Sequence, residues 1–557
     1  MQTNRCSNLF FSLCCLVGLV LPSHAQVLES SNLPIIIFNT EGRGIRDEPK
    51  TLVKLGIIDN GPGKRNKVTD PQNDYKGLAG IEYRGSTSQD LFPKKPYGIE
   101  LWDSTQTSTT KKILGFPSES DWVLNPLYND KTLMRDPVAY WLARQTGRYA
   151  SRTKHVELIV DGRYEGIYIL QEKIKRDKNR VDIDKITLAD NTGDPLTGGY
   201  IVKIDKETGS AIEKKWNSNY RPDDRSQAKP LFLVDSPKAL DLTSNQFEYI
   251  KAYINSFEQN LFGSNFADPT NGYAKFINVD SFVDFFLLNE ITKNVDGFRL
   301  STYFYKSRDS KGGKLTMGPA WDFNIALGNG NYYDGYKPQG WQHKVNDRMF
   351  PIPTGGYDDA FKAPNWWARL LDDFTFAEKT YKRWKNLRSN QWSDAKLNGF
   401  IDSTATVITE AQTRNFQRWP VLGQFVWPNY YIGKTHQDEV NWMKGWLTQR
   451  VAWIDGQLKE IGILTATEPL TEGKALRAYP NPVETEANIS YEVPQRGKVL
   501  LQLYDLMGRP IQTLVNETQS AGIYETIWQA QGLRQGIYIL DFQIDGTSIV
   551  KKKMLKN

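Results

Sequence analysis

Asn294-Val295-Asp296-Gly297-Phe298-Arg299-Leu300-Ser301-Thr302-Tyr303-Phe304-Tyr305-Lys306 and, further on, Met317-Gly318-Pro319-Ala320-Trp321-Asp322-Phe323-Asn324 form the stretch on which the reading of this chain turns. Between them, Ser307-Arg308-Asp309-Ser310-Lys311-Gly312-Gly313 is a run of turn residues, so the whole predicts one hairpin with a carboxylate at each open end. Asp296 and Asp322 lie equally far in sequence from Asp309. An antiparallel fold-back centred there brings them to one edge, on strands about 5 Å apart. Two carboxylates so placed repel unless a cation lies between them or one is tuned for proton transfer. The bland alternative is a surface hairpin with two solvated acids. Trp321 beside Asp322 argues for a partly shielded carboxylate instead.

Outward from this hairpin, a chain of 557 residues predicts two or three domains. Its 39% hydrophobic and 24% charged residues mark a globular protein. A formal charge of +6, scattered without a basic stripe, argues against nucleic acid as a partner. Sixteen Trp and 27 Tyr suit either large cores or sugar- and nucleotide-facing surfaces. Arg5, the apolar run Leu9 to Leu21, and Ser23-His24-Ala25 read as a secretory signal over residues 1–25, with Gln26 starting the mature chain. All three cysteines fall inside it, so the mature protein is expected to have no disulfide and no thiol nucleophile. No later run has the apolar length of a membrane span. His155, His343 and His436 are far apart and in no zinc-binding spacing, which disfavours zinc hydrolysis and Ser-His-Asp catalysis and leaves oxygen-ligated hard cations.

Along the chain, 33–205 reads as strand-rich, with β-type runs at Ile35 to Phe38, Gly80 to Arg84, Tyr97 to Leu101 and Val156 to Val160. A helix is expected over Lys131 to Gln145, and the run Gly166 to Leu170 leads to Glu172. From Leu240 the pattern turns helical. Ser281 and Asp284 match a capping box ahead of the apolar segment Phe282 to Glu290, a buried helix feeding the Asp296 loop. Trp366 to Leu464 reads as a helical lobe. Beyond a linker at 466–477, Ala478-Tyr479-Pro480-Asn481-Pro482 opens short alternating strands (Val499 to Tyr504, Tyr524 to Trp528, Ile537 to Phe542) that predict a small β-sandwich ending in a basic tail.

Arg84-Gly85-Ser86-Thr87-Ser88, Lys94-Lys95-Pro96-Tyr97, Gly166-Ile167-Tyr168 to Glu172, Gly198-Gly199-Tyr200, Val295-Asp296-Gly297 and Pro319 to Asn324 together resemble the CotH family of atypical, spore-coat-type protein kinases. Residues 478–557, with Tyr479-Pro480-Asn481-Pro482 and the basic end, resemble the C-terminal sorting domain of type IX secretion. The expected fold is α+β: an atypical protein-kinase-like domain over 33–465, with a helical lobe from about 365, then the C-terminal β-sandwich. The resemblance implies a secreted or cell-surface protein that passes through the periplasm and engages the type IX machinery. It implies an enzyme that moves the γ-phosphoryl of ATP, with Mg²⁺ or Mn²⁺, to Ser or Thr of an exported protein or of itself.

The phosphoryl-transfer template assigns the residues: a catalytic Asp accepts the hydroxyl proton, a metal ligand follows five positions later, and an Asp-Phe element holds the cation. Asp296 takes the first role and Asp322 the last, with Ser301 and Asn324 as further metal ligands. Ser301 stands where the template has Asn, and Asn324 where many relatives have a second acid, so charge on the cation is reduced. Lys95, with Lys94 as rival, is expected at the nucleotide phosphates, paired with Glu172 as a kinase lysine pairs with its glutamate. Arg84 suits phosphate contact through its planar fork. Two other classes compete: a catalytically degenerate surface adhesion or polysaccharide-binding protein whose aromatics stack on sugar, and a glycosidase using Asp296 and Asp322.

Overall fold

The structure is a computed structural model that describes residues 28–207, 212–222, 228–349, 360–458 and 476–557. The signal segment and most of the linker expected at 466–477 lie outside the described residues. The chain divides into two units, 1–126 with 154–171 and 406–420, and 127–153 with 172–405 and 421–557.

The first unit is built on a closed barrel of seven strands. Strands Ile35–Asn39, Thr51–Ile58, Tyr75–Tyr83, Tyr97–Trp102 and Asp121–Asn125 follow one another as antiparallel neighbours. Closure comes from a parallel pairing of Ile35–Asn39 with Thr153–Val160, in which Ile35 faces Glu157. Side chains alternate across each strand. Ile36 and Phe38, Val53, Leu55 and Ile57, Ile99 and Leu101, Trp122 and Leu124, and Val156, Leu158 and Val160 therefore fill one interior. Most of the expected β runs are present, lengthened by a few residues. Residues 406–420 pack in this unit: Arg414 pairs with the buried Glu157 at 2.6 Å, and Asn415 accepts from the Ile167 amide at 3.1 Å.

The second unit holds a five-stranded antiparallel sheet in the order Lys215–Asn217, Leu231–Ser236, Tyr200–Ile204, Thr302–Lys306, Leu315–Met317. Helices Ser244–Leu261 and Val279–Thr292 contribute Phe257 and Phe282 to an aromatic core around Trp366, which stacks on Phe232 and meets Phe304 edge-on. The helical lobe comprises Trp366–Leu371, Phe374–Ser389, Asp394–Arg418 and His436–Gln457. Two helix starts differ from expectation. Arg135–Gln145 begins four residues late because Asp130 accepts from the Thr132 and Arg135 amides and Leu133 is left-handed, so 130–134 coil as a turn. Val279–Thr292 is capped by Asn278, whose side chain accepts from the Ser281 amide; Asp284 instead binds Arg148 and Arg383.

At the C-terminus, sheets of three strands (Leu476–Tyr479, Glu486–Val493, Gly522–Gln529) and four strands (Pro510–Gln519, Gly497–Tyr504, Gly536–Ile544, Thr547–Lys556) share a core of their own that includes Ile489, Leu501, Trp528 and Leu540. This is the expected two-sheet arrangement.

Candidate active site

The hairpin forms, but shorter and in a different register. Thr302–Lys306 pairs with Leu315–Met317 through Phe304 with Met317, Tyr305 with Thr316 and Lys306 with Leu315. The turn absorbs a 3₁₀ segment, Asp309–Lys311, which moves the centre of the fold-back. Asp296 and Asp322 therefore sit in loops beyond the ladder rather than opposite each other on it.

Other bonds bring those loops together. The helix Val279–Thr292 ends on Lys293 in the left-handed conformation, φ 44°. The Asn294 carbonyl then accepts from the Gly297 amide at 2.8 Å, closing a tight turn around Asp296. A Cβ on Gly297 would lie 2.3 Å from Asn289 Oδ1 and 2.8 Å from the Asn294 carbonyl, so the turn admits only glycine there. Phe298 anchors the loop in the core, 4.3 Å from the Trp367 ring. The Asn294 side chain joins the two loops: its Oδ1 accepts from the Asp296 amide at 3.3 Å and its Nδ2 donates to the Asp322 carbonyl at 3.1 Å.

Asp322 is exposed, contrary to the shielding inferred from Trp321, and its backbone is left-handed at φ 63°. Such a conformation costs energy for most residues and persists where surroundings over-determine it. Here the Tyr140 hydroxyl lies 3.1 Å from the Asp322 amide, and the Phe323 amide donates to the buried Asp136 carboxylate at 2.7 Å. Trp321 packs on Tyr140 with near-parallel rings. Asp296 accepts from Arg299 at 2.6 Å, and the Tyr332 hydroxyl lies 3.5 Å from the same oxygen. Arg299 is buried, bound to the Val295 and Phe361 carbonyls and lying over the Tyr333 ring. Burial first, then the charges of Asp296 and Asp322 among its neighbours, raises the Tyr332 hydroxyl above its usual range. One half-buried phenol thus feels both acids.

Asn324 donates to Asn129 Oδ1 at 3.1 Å, and its carbonyl accepts from Asn329. Asn429 extends the set by donating to the Asn129 carbonyl and to Asn329 Oδ1. Ser301 is half-buried with φ 46°, just before the strand Thr302–Lys306. Among the described residues no group of three His, Cys, Asp or Glu forms a metal cluster. The expected ligands Asp322, Ser301 and Asn324 all carry oxygen donors, the class of ligand that a hard cation of the Mg²⁺ type takes. Such an ion keeps several waters and takes one or two carboxylates, with phosphate oxygens completing its shell.

The remaining expected residues have partners within their own units. Lys95 is half-buried and donates to the Gln89 carbonyl at 2.5 Å. Lys94 is fully buried, bound to the Ile167 carbonyl and Asn415 Oδ1 and lying 4.7 Å from the Tyr168 ring centre. Burial holds its ammonium well below the usual lysine range. The Arg84 amide donates to the Pro96 carbonyl, and the side chain is half-buried beside the left-handed Gly85. Glu172 is buried at a strand end, where Arg152 holds it at 2.8 Å, with Arg180 at 3.8 Å and the Tyr149 hydroxyl at 3.2 Å.

Asp136, Tyr140, Asn129 and Asn429 escaped the sequence reading because each reaches the acidic loops from a distant part of the chain, and Tyr332 and Asn329, though near in sequence, belong to no motif. A further missed element lies behind the site. Glu290 is buried, binds Arg450 at 2.9 Å and accepts from the Gln342 and His343 amides. Burial opposes its ionisation, but His343, Arg450 and the Gln342 amide outweigh that and hold its carboxyl below the usual range. Lys293 donates to the Asp334, Lys337 and Gln339 carbonyls, tying segment 334–339 to the helix end; burial, with Arg450 and Arg348 nearby, pushes its ammonium down to about 6.

A mixed α/β body that sets two acidic loops on a buried helix and a short hairpin matches a known family over most of its length. The family model "CotH kinase protein" covers residues 81–454, more than half of the chain, and the chain belongs to that family. Residues 477–556 match the secretion-system C-terminal sorting domain. The protein is therefore secreted or displayed at the cell surface, with the type IX secretion machinery as a partner. No curated protein matches the chain. Among solved structures, dimeric latent PorU from Porphyromonas gingivalis is 18% identical, over 14% of this chain and 9% of that one, with a TM-score of 0.14. The Pseudomonas fluorescens alkylpurine DNA glycosylase AlkC, bound to DNA containing an abasic site analog, is 10% identical over 39% of this chain and 59% of that one, with a TM-score of 0.12. This chain thus covers less than two thirds of either one. Among the described residues no helix is long and apolar enough to cross a membrane.

Proposed function

We propose that this protein is a secreted, metal-dependent phosphotransferase that moves the γ-phosphoryl of ATP to a Ser or Thr hydroxyl of an exported protein or of its own chain. The observation that carries the reading is the joining of the Asp296 and Asp322 loops through one amide, Asn294, around one phenol, Tyr332. Arg299 fixes Asp296 Oδ1, so the carboxylate is oriented to accept the proton of an incoming hydroxyl. Asp322, with Ser301 and Asn324, would hold Mg²⁺ or Mn²⁺, which supplies positive charge to the phosphate oxygens when bound. The acceptor oxygen forms the new O–P bond as the bond from the γ-phosphorus to the bridging oxygen breaks, ADP leaves, and Asp296 takes the proton. Lys95, Arg84 and Glu172 are the proposed nucleotide-binding residues. The kinase-like arrangement of the body belongs to the same proposal.

The test is incorporation of label from γ-labelled ATP with Mn²⁺ or Mg²⁺ into the chain and into co-exported proteins. Asp296→Ala and Asp322→Ala should each lower incorporation by about two orders of magnitude or more, with the fold retained by circular dichroism. Equal labelling in both variants, or none in the parent protein with either metal, would sink the assignment.

A further inference from the structure

Large apolar side chains are exposed at a surprising density in one short segment. Between Val421 and Gly433, Phe425 is 57% exposed, Trp427 43%, Tyr430 46% and Ile432 40%. No charged residue occurs in this stretch, although 24% of the chain is charged. A concentrated apolar patch on a protein surface marks a contact site.

The segment is also rigidly held. The Gly423 amide donates to the Gly433 carbonyl, the Tyr430 amide to the Asn329 carbonyl, and the Asn331 amide to the Pro428 carbonyl. The buried Asn429 side chain pins its middle to Asn129 and Asn329. Its rings lie flat on others: Trp427 on Tyr332 at 6.0 Å and 9°, and Tyr430 on Tyr336 at 3.9 Å and 9°. Tyr431 lies on Trp442 at 4.8 Å and 7°. Trp427, backed on one side by the parallel Tyr332, turns its opposite face outward, while Tyr430 also meets Trp442 at 5.8 Å and 33°.

We infer that Phe425, Trp427 and Tyr430 form a platform that binds a neutral glycan chain. Flat aromatic faces match the C–H face of a pyranose ring, and the exposed amide of Gln424 offers hydrogen-bonding groups to its hydroxyls. The segment itself carries no charged side chain, although Lys337 lies 5.6 Å from the Tyr336 ring, so its own groups recognise by stacking and hydrogen bonding rather than by ion pairs, which suits a neutral polymer. Pre-ordering by the backbone and Asn429 bonds lowers the entropic cost of binding. The inference does not depend on phosphoryl transfer, and its test uses neither ATP nor metal.

Affinity electrophoresis of the full chain through gels containing β-glucan, xylan or galactomannan, with pull-down on microcrystalline cellulose, reads the binding directly. At least one neutral glycan should retain the parent protein, in the presence of chelator as well. Trp427→Ala should weaken retention by about tenfold or more, the loss of roughly one stacked ring. Trp427→Phe keeps a ring on Tyr332 and should stay within about threefold of the parent. Phe425→Ala, at the most exposed position, should weaken retention without affecting folding. Failure of all four glycans to retain the parent would overturn the proposal, as would equal retention of Trp427→Ala. Trp427-dependent capture of a defined peptide ligand without glycan retention would overturn it in favour of protein docking.

Discussion

Asp322 shows how a single residue is made functional by its backbone. An aspartate tolerates the left-handed region better than most residues, but the conformation holds here because Asn294, Tyr140 and Asp136 each bind a backbone group of 322–323. None of these three lies within twenty residues of Asp322 in sequence, so the aim of its carboxylate could not be read locally. Titration at single residues yields a sharper prediction. Glu258 is buried on the helix Ser244–Leu261, accepts from Ser218 Oγ and Trp366 Nε1, and is pushed up to about 7 by burial. Because its folded pKa lies above the unfolded value, the folded state binds the extra proton between about pH 4.5 and 7. Its contribution is therefore complete below pH 4.5 and is lost as pH rises through 7. Glu258→Gln keeps an acceptor for both donors and has no charge to bury. It should match the parent near pH 4.5 and exceed it at pH 8 by up to about 3 kcal/mol in urea unfolding. A pH-independent difference would contradict this.

Among elements, the helix Val279–Thr292 carries the site. Its nearly continuous apolar run, Phe282 to Leu288, was recognisable as a buried helix from composition alone. Its start was not, because Asn278 and Ser281 are both capable caps and only the amide geometry distinguishes them. Its end is clamped to the helix His436–Gln457 by Glu290 and Arg450, with Arg450 also donating to the Glu290, Pro338 and Gly340 carbonyls. Arg450→Met strands a buried carboxylate and should cost about 3–5 kcal/mol in chemical unfolding. Pairing it with Glu290→Leu should recover part of that loss, though the Gln342 and His343 amides would then lack their acceptor. A loss below about 1 kcal/mol for Arg450→Met would show that the clamp is dispensable. The hairpin makes the same point about register. Its turn composition was legible, but the 3₁₀ segment Asp309–Lys311 shifts the pairing, and the backbones of the two acidic loops are joined by Asn294 instead of pairing across the ladder.

For the molecule as a whole, the terminal pair of sheets encloses its own core, and its sequence matches a sorting domain. Deleting residues 476–557 should leave the CotH-family body folded, by circular dichroism and thermal unfolding, while abolishing its appearance at the surface or in the medium of the native host. Undiminished export of the shortened chain would show that the body carries its own export signal. Fractionation followed by immunodetection decides between these outcomes.

The chain's order of elements, its acidic turn motifs and its terminal export module follow from the sequence itself. Turn residues, apolar periodicity and the motif set act over short spans, and neighbours in the chain suffice to express them. Barrel closure through the pairing of Ile35 with Glu157, the joining of the Asp296 and Asp322 loops by Asn294, and the flat backing of Trp427 by Tyr332 were decided only in three dimensions. Each depends on hydrogen bonds or ring contacts between residues far apart in sequence. Local preference places no constraint on such partners until the core has packed.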